Sequence, residues 1–361
     1  MTGIENTGLR IIEFILALGF MMFVHEFGHY IVSRIFRIPV EEFGFGLPPR
    51  LVKLFTWHGT EFTLNWIPLG AFVRPKGEGD PTIPDGMAAS SPWKRLGILL
   101  AGPSMNLLVG MLLFSLIFTR MGTPDTTSVQ IIGVTAGSPA ETSGMQVNDL
   151  IRAVNGTPIT STDQAISVVK AHTGEEITLT LERNGNLIDI TTTPRSKPPE
   201  GEGALGILLG NPVVKTSWIS TIPSAANMVG EQVNAILTLP GKLIAKSITP
   251  EEGRVVSIKG IYDIYAQVRT RDLAEPNNDP TRGMNTAWFL ATISVGLGIA
   301  NLLPIPAVDG GRILFLLPEF ILRKRIPQQF ENTVNGLGLL LLLVLMVVLT
   351  INDFVNPIVL P

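Results

Sequence analysis

The chain has 361 residues, 45% hydrophobic and only 16% charged, with a mean hydropathy of +0.35, whereas a soluble globular chain carries about 25% charged residues. This balance points to a membrane protein and excludes a disordered chain. A net charge of −3 offers no basic surface for nucleic acid, and zero cysteines exclude disulfides, thiolate nucleophiles and cysteine zinc fingers.

A membrane-spanning helix needs about 20 mostly apolar residues. The first candidate, Ile11–Ser33 within 9–36, is apolar on both sides but carries Glu13, His25, Glu26 and His29. It lacks a leading Lys and a small-residue cleavage site, so it reads as a span rather than a signal peptide. Ionisable groups inside a span are costly and mark a functional site. Residues 37–95 follow as a loop. Within it, 41–75 hold aromatic runs with Gly44, Gly46 and Gly70, the composition of a β-hairpin that dips into the membrane under protein cover. Leu96–Thr119 is a second, uncharged span.

Residues 125–195 read as a β-rich domain. Val129–Val134 and Ile177–Leu181 are strand-like, Asn-Gly pairs at 155–156 and 184–185 mark turns, and Thr162 is placed to cap a helix over Ser161–Ala171. The run from Gly137 to Ile151, followed by Val154-Asn-Gly, resembles a bacterial PDZ domain. Arg195–Gly203 reads as a linker within a region, 196–283, that also holds an amphipathic segment at 216–245, broken by Pro223 and Pro240, and a polar loop at Asp272–Pro280. Met284–Val308, within 284–311, and Asn332–Asn352, within 332–355, are the third and fourth spans.

Arg and Lys set the orientation. They crowd the loops 34–95 and 312–331, which are therefore expected in the cytoplasm, with both termini and the 121–283 segment outside.

His25-Glu26-Phe27-Gly28-His29 is a His-Glu-x-x-His motif. On a helix, residues i and i+4 share a face, so both imidazoles can reach one Zn²⁺, and Glu26 suits a general base on water. Two of only four histidines fall at this spacing inside an apolar span. His58 and His172 read as surface residues. Asp309 is the strongest third ligand. It closes the stretch Asn301 to Gly311, where Pro304 and Pro306 break the helix and Gly310-Gly311 permit a turn. Depth agrees: His25 lies about 21 Å from the outer end of its span at 1.5 Å per residue, in the cytoplasmic half, where Asp309 also falls.

The chain resembles the site-2 protease family of intramembrane zinc metalloproteases, and within it the regulator-of-sigma-E protease subgroup. The features that carry this are His25-Glu26-x-x-His29 in the first span, the Asn301–Gly311 stretch ending in Asp-Gly-Gly, and the intervening PDZ domain. The resemblance implies a four-span α-helical membrane protein with a membrane-associated β-hairpin and one inserted extracytoplasmic PDZ domain. It implies one zinc per chain on His25, His29 and Asp309, with Glu26 as catalytic base. The family's second-span pattern matches Ala101-Gly102-Pro103-Ser104-Met105-Asn106, and its re-entrant loop matches 41–75. By this resemblance Asn301, Asn106, Gly44 and Gly46 are expected to contact substrate. Three departures stand out: one PDZ domain rather than two, Val308 where Leu is common, and Ser257-Ile-Lys-Gly260 where a Gly-Pro is usual.

Hydrolysis of single-span membrane proteins already trimmed outside, such as anti-sigma factors or remnant signal peptides, is the implied activity. The bilayer, and a PDZ domain acting as size filter or C-terminus binder, are the implied partners, in a bacterial inner membrane. Two other classes stay open. A membrane-anchored zinc protease of soluble proteins needs the motif outside the bilayer, and a non-enzymatic PDZ scaffold needs no bound zinc.

Overall fold

The computed structural model describes residues 2–199, 201–245, 247, 249, 253–277, 279 and 281–360. From the expected 196–283 region, Glu200, Lys246, Ile248, Pro250, Glu251, Glu252, Asn278 and Pro280 lie outside the described residues. The chain divides into two compact units, Met1–Ile117 with Ile222–Pro361, and Phe118–Thr221.

Helix α1 (Thr2–Ile35) contains no proline and runs unbroken through the His-Glu-x-x-His motif. Strands β1 (Val40–Trp57) and β2 (Thr60–Pro75) follow, joined by the two-residue turn His58-Gly59 with both φ positive, the turn whose twist matches a hairpin. The hairpin is long enough to fold onto itself. Phe43 sits between Val73 and Phe62, Gly44 between Phe72 and Thr63, and Phe45 between Ala71 and Leu64, while Lys53 pairs with Thr63 nearer the tip. Gly44 permits this layering, since a Cβ there would strike the Phe72 ring and lie 2.8 Å from Asn65 Nδ2. Tyr30 and Phe23 of α1 pack edge-on against Phe43, with ring centroids 5.8 and 5.6 Å away, which fixes the sheet against the motif-bearing helix.

Helix α2 (Pro92–Met121) keeps Pro103 in its interior. It lies close to α1 because Gly28 has no side chain: a Cβ there would be 2.5 Å from the Ala101 carbonyl oxygen. Small residues bring apolar helices together in this way, by van der Waals packing of backbone on backbone.

The second unit is a six-stranded sheet with two short helices. Its strands are β4 (Val129–Val134), β5 (Leu150–Val154), β6 (Thr157–Pro158), β7 (Ile177–Arg183), β8 (Asn186–Thr192) and β9 (Ile207–Gly210), in the order β8-β7-β5-β4-β9, with β6 on β5. Preceding it, β3 (Thr123–Pro124) pairs with β10 (Val213–Val214). Helices α3 (Pro139–Thr142) and α4 (Thr162–Ala171) flank a core of Val129, Ile131, Ile151, Val154, Ile177, Leu179 and Leu181. The cap of α4 is Ser161, whose hydroxyl accepts from the Gln164 N–H, not Thr162. Arg195–Gly203 is not a linker out of this unit. It carries the chain back so that β9 can pair with β4, with Ile131 opposite Leu209.

Helix α5 (Trp218–Ile244) is continuous through Pro223 and Pro240. Helix α6 (Ile258–Ala274) occupies a stretch with no clear sequence signal, and Asp272 belongs to it rather than to a loop. Asp272 is buried and accepts from Asn285 and from the Thr286 N–H, capping α7 (Met284–Leu302). Glu13, costly in an apolar helix, is answered by α6: Tyr265 donates to it at 3.0 Å and Arg269 at 3.2 Å. Burial and the Glu13 carboxylate push the Tyr265 phenol up to about 12, so it stays a donor.

The third apolar run does not continue to residue 311. It stops at Leu302, and α8 (Asp309–Leu322) starts at Asp309. Gly310 and Gly311 are the first turn of that helix, not a turn between elements. Their backbones press on the preceding loop, where a Cβ would sit 2.5 Å from the Leu302 carbonyl oxygen for Gly310 and 2.8 Å from the Ile305 carbonyl carbon for Gly311. Much of the expected 312–331 loop is therefore helical. Helix α9 (Gln328–Val355) completes the fold. Among the described residues four helices are long and apolar enough to cross a membrane: Thr7–Ile35, Pro92–Met121, Met284–Leu302 and Gln328–Val355.

Candidate active site

His25 and His29 lie one turn apart on α1 and point their rings toward the N-terminus of α8. His25 Nε2 is 3.1 Å from Asp309 Oδ2, His29 Nε2 is 3.3 Å from the same oxygen, and the two Nε2 atoms are 3.1 Å apart. Residues separated by 284 positions in sequence thus converge on one point. Asp309 opens its helix, where a carboxylate also complements the helix dipole.

Two imidazoles and one carboxylate are the donor set of an open zinc site, which takes three protein ligands and leaves a position for water. The surroundings fit that reading. His29 Nδ1 donates to the Ile98 carbonyl oxygen at 2.7 Å, so its Nε2 faces the convergence point as the unprotonated donor. Gly102 leaves the space beside the rings open, since a Cβ there would strike His29 Nε2 and come within 2.8 Å of His25 Nε2.

Asn106 is buried, with its amide nitrogen 3.4 Å from His25 Nδ1 and its Oδ1 without a partner. Turning the amide by 180° gives Oδ1 the His25 Nδ1–H and leaves His25 Nε2 for the metal. Asn106 therefore addresses a histidine and is not among the described residues that line the cavity beside these groups.

A cavity of about 310 Å³ opens onto these groups. His25, Glu26, His29, Asp309 and Asn301 line it, with Phe72 and Val73 of β2 and Arg312 of α8. Glu26 Oε2 accepts the Val73 backbone N–H at 3.0 Å, which ties the acid of the motif to the strand nearest the cavity. Asn301 Nδ2 donates to the Leu297 carbonyl at 3.0 Å. Gly44 and Gly46 are not among the described residues that line the cavity. They serve the hairpin instead: Gly46 has φ +78, and a Cβ there would be 2.5 Å from the Ile67 carbonyl oxygen. Arg312, which sequence reading passed over, pairs with Glu78 at the cavity wall. Its spacing three residues after Asp309, on the same helix face, was the available signal.

Peptidase family M50 matches residues 13–345, a stretch that contains both halves of the site. The chain belongs to peptidase family M50. A relative in Clostridium perfringens is 30% identical over 97% of this chain and all of its own length. Metalloprotease MmpA of Caulobacter vibrioides is 26% identical over 96% of this chain and 95% of its own, and zinc metalloprotease RasP of Shouchella clausii is 26% identical over 95% and 98%. The PDZ domain of an SdrC-like protein from Listeria monocytogenes aligns with 24% of this chain and 90% of its own at 19% identity, with a TM-score of 0.21. This M50 peptidase is an integral membrane zinc metalloendopeptidase of the site-2 protease type.

Proposed function

We propose that this M50 peptidase hydrolyses peptide bonds within the membrane-spanning segments of single-span proteins, with His25, His29 and Asp309 holding zinc and Glu26 as the base. The observation that carries this is the convergence of two histidines from one apolar helix and an aspartate from the break between two others, with a glutamate on the same cavity.

When bound, zinc supplies Lewis-acid chemistry, acidifying water and polarising a carbonyl. Glu26 takes the proton of the attacking water and returns it to the nitrogen of the departing amine. Its bond from the Val73 N–H holds the carboxylate in place for both transfers. A substrate helix must unwind before its carbonyl can be reached. The unwound stretch adds to the β2 edge near Phe72, where backbone groups other than the Val73 N–H, which stays on Glu26, replace the hydrogen bonds it lost, and the Asn301 amide adds a further one. Substrates are segments already trimmed outside, such as anti-sigma factors or remnant signal peptides. The β-rich unit serves as a size filter on what remains, or as a holder of newly made C-termini. The enzyme sits in a bacterial inner membrane with segment 121–283 outside and the 34–95 and 312–331 regions in the cytoplasm, in keeping with the Arg and Lys distribution.

Glu26→Gln protein, purified and given a single-span substrate in vesicles, tests the assignment. It should keep its zinc and lose roughly 10²- to 10⁴-fold in hydrolysis rate. Substantial cleavage by that variant would refute the role of Glu26.

A further inference from the structure

The loop that delivers Asp309 is held by a helix that contributes nothing to the cavity chemistry. Between the end of α7 and the start of α8 the chain passes through Leu303–Val308, and within it Ala307 has φ +77. An L residue rarely adopts that conformation, which is strained and persists only where its surroundings impose it. Two contacts from α9 do so. Asn335 Oδ1 accepts the Ala307 N–H at 3.1 Å. One helical turn on, Gly338 lets the α9 backbone meet Pro306, where a Cβ would come within 3.0 Å of the Pro306 carbonyl carbon and oxygen. Without Asn335 the Ala307 N–H loses its acceptor and the strained φ loses its support. Two residues later in the chain lies Asp309.

We infer that Asn335, seated by Gly338, is a positioning residue for the metal: α9 clamps the Pro306-Ala307 turn and thereby sets where the Asp309 carboxylate stands relative to His25 and His29. This inference rests on Asp309 being a zinc ligand. The fourth span is then part of the metal site without supplying a ligand, in the way that outer partners of metal ligands hold them in place.

The test is zinc affinity, measured by competition with a chelator on full-length protein in detergent, beside thermal melting of the metal-free protein. Asn335→Leu removes the acceptor at similar volume and should weaken zinc binding roughly 10- to 100-fold, the range for losing an outer partner of a ligand. Asn335→Asp keeps an acceptor and should bind nearly as the unmodified protein does. Ala307→Gly, which relieves the strained φ, should recover part of the loss when added to Asn335→Leu. Gly338→Ala probes the second contact independently and should weaken zinc in the same direction, even if Asn335→Leu does not fold. Unchanged zinc affinity in a folded Asn335→Leu or Gly338→Ala protein overturns the inference, and so does a lowered melting temperature with affinity intact, which marks a merely structural contact. Failure of the underlying reading looks different: the unmodified protein itself would then bind no zinc, or lose none on Asp309→Ala.

Discussion

Gly102 shows how much of the site depends on an atom that is not there. It faces both imidazoles across the α1–α2 contact, and a Cβ at this position would occupy the space beside their Nε2 atoms. Gly102→Ala should therefore lower zinc affinity about tenfold or more, because the rings must move off their shared point, while leaving the fold's apolar contacts in place. Chelator competition on the purified variant checks this, and unaltered affinity would mean the rings have slack. At this scale the sequence was most legible. His25, Glu26, His29 and Asp309 stood out because charge inside or at the end of an apolar run is costly, and the structure brings these four to one cavity. Asn106 and Gly44 were recognisable as special but not as what they are. The first addresses the His25 ring and the second sits under the Phe72 ring, and only the three-dimensional neighbours distinguish those tasks from contact with substrate.

Among the elements, what escaped the sequence was what had no clean period. Helix α5 carries two internal prolines, which read as breaks. Helix α6 mixes polar and apolar residues without a long apolar run, and is held by polar partners, Glu13 and Asp353, together with Tyr262 and Tyr265 packed on Phe14. Helix α8 hid behind Gly310-Gly311, which read as a turn although close backbone approach is what they serve. Strand β9 lay beyond the boundary set at residue 195 and joins the sheet only through pairing with distant β4. In the β-rich unit, Asp149 carries a prediction of its own. Burial raises its carboxyl, but two hydrogen bonds from Arg183 at 2.7 Å and one from the Gln146 N–H outweigh burial and hold it below its usual 3.8. A group depressed in the folded state contributes stability above its unfolded value and loses it as pH falls through the folded one. The unit should thus weaken below about pH 4. Asp149→Asn should lower its stability by about 1–2 kcal/mol at neutral pH, since the charge-assisted hydrogen bonds with the partly exposed Arg183 are weakened. Melting of the full-length protein against pH checks both, and an Asp149→Asn protein with unchanged melting at pH 7 would discount the pair.

For the whole molecule, the four apolar helices and the inserted β-rich unit were visible in hydropathy and turn signals, whereas their exact limits were not. A size filter is testable here because β3 pairs with β10, bringing Thr123 beside Val214. Residues between them can be replaced by a short link. Protein lacking 125–212 should cleave an untrimmed single-span substrate that the full chain leaves intact. If that substrate stays uncut while a trimmed one is still hydrolysed, the unit is not a size filter.

Everything proposed for this enzyme requires that the first apolar helix and the start of α8 share one metal. Zinc content of the detergent-purified protein, measured beside His25→Ala and Asp309→Ala, decides it. About one zinc per chain is expected in the unmodified protein, as an open catalytic site holds, with loss of it in both variants. Zinc retained in a folded Asp309→Ala protein, or none in the folded unmodified chain, would show that the two elements do not form a shared site.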